Sequence, residues 1–160
     1  LVITDGIIHT PIRVPGHSAV FWIPVLVVAG AQKWPGMAAG SSILGGGAQY
    51  LWFGQGVDNA LTLMAAGAVV EVLAIFKHTD TAAAWMVFAG VAANFGKLGI
   101  KALMALMFIK PLNAAGLQLL ETAVLYAAFG IIGGAIAWTV TSAGKTIGEK
   151  TGLLDLLPDE

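Results

Sequence analysis

Six polar side chains interrupt the apolar stretches of this chain in a pattern that could do chemistry: Glu71, Asn94, Lys97, Lys101, Gln118 and Glu121. Asn94, Lys97 and Lys101 stand at helical offsets of three and seven, which places them on one helix face. Gln118 and Glu121, three apart, share another. Lys101 lies ten residues before Pro111 and Glu121 ten after it. With Pro111 at the apex of a helical hairpin, both charges fall about 15 Å along their helices from the turn, and the spacing predicts a Lys101–Glu121 ion pair. Lys97, one turn deeper, has Leu125 and Tyr126 at its mirror position in place of a carboxylate. A buried ammonium in such a place gives up its proton or meets an anionic or carbonyl-bearing ligand. The binding reading is a polar cavity lined by Asn94, Lys97, Lys101, Gln118, Glu121 and Tyr126; the structural reading is a hairpin stapled by one ion pair. Glu71, mirrored through the turn at "GQG", falls opposite Ser41 and Ser42, whose hydroxyls are its expected partners.

A second cluster opens the chain. "HTPIRVPGH", residues 9–17, holds two histidines, an arginine and two prolines in nine positions. Arg13, with His9 and His17, could close a lid over the cavity, stiffened by the prolines. Asp5, His9 and His17 could instead hold a divalent metal, since carboxylate and imidazole suit several such ions; their spacings of four and eight match no established ligand motif. A third reading is an interfacial anchor, with Phe21, Trp22 and Trp34 in the aromatic belt of a membrane. No Walker-type phosphate loop is present, because "GGGAQ" lacks the lysine and "GKT" at 144–146 lacks the earlier glycine. Serine-hydrolase and zinc-protease patterns are missing too, and no catalytic activity is expected of this chain alone.

The elements that must position these groups follow from composition. Of 160 residues, 58% are hydrophobic and 11% charged, against about 25% charged in an ordinary soluble domain. So large an apolar surplus cannot be hidden in one soluble core, which points to a lipid bilayer. A net charge of −1 gives no reason to expect nucleic acid, and the absence of cysteine excludes disulfides and thiolate metal sites. A spanning helix needs about 20 apolar residues. Five runs qualify or nearly so, at about 18–34, 37–53, 57–76, 82–109 and 114–141, followed by a short tail over 142–160. The expectation is a single all-α domain, a polytopic membrane bundle of five spanning helices. The first residue is Leu1, without an initiator methionine, so upstream sequence that could include a sixth helix is expected. Short breaker-rich connections make sequential helices antiparallel neighbours. Lys33, Lys77, Lys145 and Lys150 collect on one side and only Arg13 and Lys110 on the other, which sets the C-terminus in the cytoplasm and the opening loop outside. Gly36 with Gly40, and Gly130 with Gly134, are spaced for close helix approach, within the chain or against a partner subunit.

The run "PIRVPGHSAVFWIPVLVVAGAQKWPGMAAGSSILGGGAQYLWFG" followed by "AAGAVVEVLAIF" resembles the substrate-binding membrane subunits (S components) of energy-coupling factor transporters, importers of vitamins and transition metals. The resemblance implies six helices with both termini cytoplasmic, a lid between the first two helices that would fall on His9 to His17, and a ligand cavity at the polar face of the last helices. It also implies partner membrane and ATPase subunits in a prokaryotic plasma membrane. The metal-binding signature of the cobalt and nickel members is not visible, so a small organic solute is implied ahead of a metal. The alternative is a structural or metal-binding membrane subunit of a larger enzyme complex.

Overall fold

Breaker residues bound the helices of this protein, and the tertiary arrangement follows from where small residues let those helices touch. The computed structural model describes residues 17–32, 34–54, 56–76, 82–107 and 115–151. These form five helices: α1 Ala19–Gly30, α2 Met37–Phe53, α3 Val57–Phe76, α4 Ala83–Met107 and α5 Ala115–Thr151. No strand occurs among the described residues.

The bounds of α2 and α3 are those the sequence predicts. Gly36 begins α2 at φ +88° and Gly54 ends it at φ +60°, left-handed positions that glycine adopts without a Cβ penalty. Helix α1 is shorter than expected: it stops at Gly30, and Gln32 folds its side-chain amide back on the Val28 carbonyl at 3.1 Å. Helix α5 is longer, running ten residues past Thr141 through the segment expected as tail. No proline interrupts 142–151, and Thr139, Thr141, Thr146 and Thr151 each donate a hydroxyl to the carbonyl four residues back. Such back-bonding satisfies a hydroxyl inside a helix by sharing a carbonyl of the ladder.

Sequential helices are antiparallel neighbours. Gly46 of α2 meets Ala60 of α3, and Gly67 of α3 meets Ser42 and Ala38 of α2. Gly96 of α4 lies against Ala65 and Val69 of α3. Helices α4 and α5 meet backbone to backbone, where Gly90 abuts Gly130 and Gly134, and Gly134 abuts Met86 and Val87. Small residues let backbones come together where lipid offers no hydrophobic drive. The Gly130–Gly134 pair therefore works as an intramolecular contact. The Gly36–Gly40 pair does not: Gly36 is a cap, and a Cβ at Gly40 would meet nothing within 4 Å.

Helix α1 closes the ring by crossing it, in contact with all four other helices. Its Ala19 and Ile23 rest on Gly133 of α5, while Gly30 meets Val70 of α3 and Ala38 of α2. Trp22, Ile23, Leu26 and Val27 are the largest wholly buried apolar side chains together with Met86 and Val70, so α1 is the centre of the core. Trp22 is thus no part of an interfacial aromatic belt; it is 1% exposed, whereas Trp34 is 69% exposed.

The outer surface is apolar, with Leu44, Leu51, Trp52, Phe76 and Met107 all largely exposed. Contiguous exposure of this kind is rare on water-soluble monomers and natural against lipid. Three helices are long and apolar enough to cross a membrane, within Val57–Phe76, Ala83–Met104 and Glu121–Thr151. Helix α1, apolar but only 12 residues long, covers about 18 Å, short of the roughly 30 Å hydrocarbon core.

Candidate ligand site

Helix α4 presents its polar face to α1 at one end and runs past it at the other. Burial along that face falls from Asn94, which is 0% exposed, through half-buried Lys97 to exposed Lys101. Helix α1 begins at Ala19, and Ser18 just before it is within reach of the Lys97 ammonium.

Asn94 reaches across to α5, where its Nδ2 donates to the Tyr126 carbonyl at 2.7 Å. Tyr126 itself is 2% exposed. This bond crosses the same interface as the Gly90–Gly130 contact and sets the register of α4 against α5. Lys97 turns toward α1. Its Nζ donates to Ser18 Oγ at 3.4 Å and sits 5.2 Å from the centre of the Trp22 ring, close enough for the indole face to attract the ammonium. Two polar atoms in this layer are buried without a hydrogen-bond partner, Trp22 Nε1 and Asn94 Oδ1. Buried polar atoms are nearly always satisfied, so each orphan calls for an explanation.

The structure joins Asn94 to the Tyr126 backbone carbonyl and places Lys97 against Ser18 and Trp22, two residues that sequence reasoning did not place here. The signal for those two was weak. Residues 19–31 are apolar on every side, so no periodicity reveals which face of α1 turns inward. Lys101 and Glu121 come near one another in level, since Asn94 faces Tyr126 and Gly90 faces Gly130. Both side chains are nevertheless exposed, and the described residues contain no ion pair between them. A shared depth does not by itself make an ion pair.

Asp5, His9 and Arg13 lie outside the described residues, as does the side chain of Gln118. His17, just ahead of α1, is half-buried. No group of three or more metal-ligating side chains occurs among the described residues.

Glu71 has a different role from the one its mirror position suggests. Its carboxylate accepts backbone N–H bonds from Gly36, from Ala38 at 3.1 Å and from Ala39 at 3.3 Å. Ser42 turns back to the Ala39 carbonyl instead, at 2.8 Å. A side chain of α3 thus caps α2, whose N-terminal Gly36 has no side chain to do so. The carboxylate also meets the positive end of the helix dipole. A separate concavity of about 390 Å³ lies between α3 and α4, lined by Leu73, Phe76, Ala84, Trp85 and Phe88. Its side chains are hydrocarbon and indole, with no charged group to orient a polar solute.

These features define an all-helical protein with three helices able to cross a membrane and a polar layer held in its interior. Comparison with family models, with curated proteins and with solved structures finds no match to this chain.

Proposed function

We propose that this protein is a membrane subunit that captures a small polar solute, of vitamin-like organic type, in the layer formed by Ser18, Trp22, Asn94 and Lys97. The observation that carries the reading is the pair of orphaned polar atoms beside a lysine at the centre of a helical bundle. Ionisable groups within membrane helices are costly, about +2.5–3.5 kcal/mol at a helix centre on insertion scales, and their usual return is function. The five helices all lie within the bilayer, α1 as a partial span, with the opening loop outside and the C-terminus in the cytoplasm of a prokaryotic cell. The resemblance to energy-coupling factor S components supports the same reading and assigns energy supply to partner ATPase subunits. Arg13, His9 and His17 would then close over the solute from outside.

The test is equilibrium dialysis of the full chain in lipid nanodiscs against radiolabelled water-soluble vitamins, with cobalt and nickel ions as further arms. One organic solute should bind saturably, and Lys97→Ala should weaken it by about tenfold or more, as for the loss of a charged hydrogen bond. Failure of every organic solute sinks the proposal and leaves a scaffold role; saturable metal binding lost in His9→Ala favours the metal-binding alternative.

A further inference from the structure

We infer that the solute carries a carboxylate, or a comparable anionic oxygen group, with an N–H or O–H donor close by. This rests on the solute-capture reading and specifies its ligand.

The polarity of the site argues for an anionic end. A helix N-terminus is the positive end of its dipole and normally receives an acidic side chain or a cap. The first turn of α1 has neither an acidic residue nor a side-chain cap. The ammonium of Lys97 lies there instead, on Ser18 Oγ and over the ring of Trp22. That same indole carries the orphaned Nε1–H, on a residue 1% exposed. Indole N–H and ammonium can only donate. Three kinds of donor thus occur at this end of α1 (the indole N–H, the ammonium and the start of a helix), and an oxyanion is the group that accepts from each of them.

Asn94 supplies the opposite requirement. Its Nδ2 is committed to the Tyr126 carbonyl, which fixes the orientation of the amide. Oδ1 is left as a buried acceptor without a donor, on a residue 0% exposed. Asn94 is one helical turn from Lys97, so a donor placed next to the anionic group of the ligand would reach it. Amides, lactams and hydroxy acids with a carboxylate have this pairing. Entry requires α1 to shift, and Pro24 within it removes one bond of its backbone ladder.

The experiment is isothermal titration of the full chain in nanodiscs with three small probes. Pyroglutamate has both carboxylate and lactam N–H, 2-pyrrolidinone lacks the carboxylate, and cyclopentanecarboxylate lacks the lactam. Pyroglutamate should bind saturably and about tenfold or more tightly than either. Lys97→Met should erase its advantage over 2-pyrrolidinone, and Asn94→Leu its advantage over cyclopentanecarboxylate. Each ratio compares two ligands on one protein, so a partly misfolded variant does not distort it. If 2-pyrrolidinone binds as tightly as pyroglutamate, the inference fails and solute capture stands. If no probe binds but a vitamin does, an anionic vitamin weakened by Lys97→Met supports the inference, and any other bound vitamin overturns it. Failure of probes and vitamins together overturns both readings.

Discussion

Replacing one glycine at the α4–α5 contact tests the packing on which the polar layer depends. A Cβ at position 134 would stand 2.5 Å from the Met86 carbonyl oxygen, 2.6 Å from Val87 Cα and 3.0 Å from the Met86 carbonyl carbon. All three are backbone atoms, so no side chain can rotate aside. Ordinary carbon contacts lie at about 3.5–4.0 Å, and Gly134→Ala therefore forces the helices apart by about 1 Å. Overpacking of this kind costs about 1–3 kcal/mol, and rigid backbone on both sides puts it in the upper part of that range. Alanine returns about 1 kcal/mol through its better helix propensity, for a net loss of about 1–2 kcal/mol. Gly40→Ala is the matched control: nothing lies within 4 Å of its added Cβ, so only the propensity gain remains. The two variants should move in opposite directions and differ by about 2–3 kcal/mol, the overpacking cost alone, because the propensity gain is common to both and cancels. Denaturation by sodium dodecyl sulfate in mixed micelles, followed by tryptophan fluorescence, measures the difference. Equal midpoints, or a later midpoint for Gly134→Ala, would refute the close α4–α5 approach.

Two further outcomes follow from the architecture. Glu71→Ala should lower stability by about 1–2 kcal/mol, the value of a helix N-cap, and Glu71→Gln by less because one acceptor survives; an unchanged unfolding midpoint for Glu71→Ala would exclude the cap. The antiparallel order of α3, α4 and α5 puts Asp58 and Glu149 at opposite ends of the bundle. The chain has no cysteine, so Asp58→Cys and Glu149→Cys each create a unique thiol. A membrane-impermeant maleimide should label position 58 only from outside intact cells and position 149 only after lysis. Labelling of both from one side contradicts the topology.

What could be read in advance was whatever depends on local chain chemistry. Apolar run length and breakers located α2 and α3 to the residue, and short connections implied antiparallel order. Equal chain lengths about Pro111 brought the polar positions of α4 near those of α5 in level. Gly130 and Gly134, four apart, marked a close contact because one turn of helix returns both to the same face.

Other features depend on how one helix is rotated or tilted against another. Glu71 finds backbone N–H groups instead of the serines because α2 begins with a bare glycine cap that draws in a carboxylate from α3. Lys101 and Glu121 stand near one depth but stay exposed, since chain length from a turn sets depth and not which way a side chain faces. Trp22 leaves the aromatic belt for the core because α1, apolar on all sides, turns whichever face best fills the ring. By itself the sequence determined the helices, their order and the polar face of α4, all local properties of spacing and composition. Only the tertiary structure decided that Ser18 and Trp22 meet Lys97, because that depends on a short helix crossing the bundle to meet residues some 75 positions away in the chain.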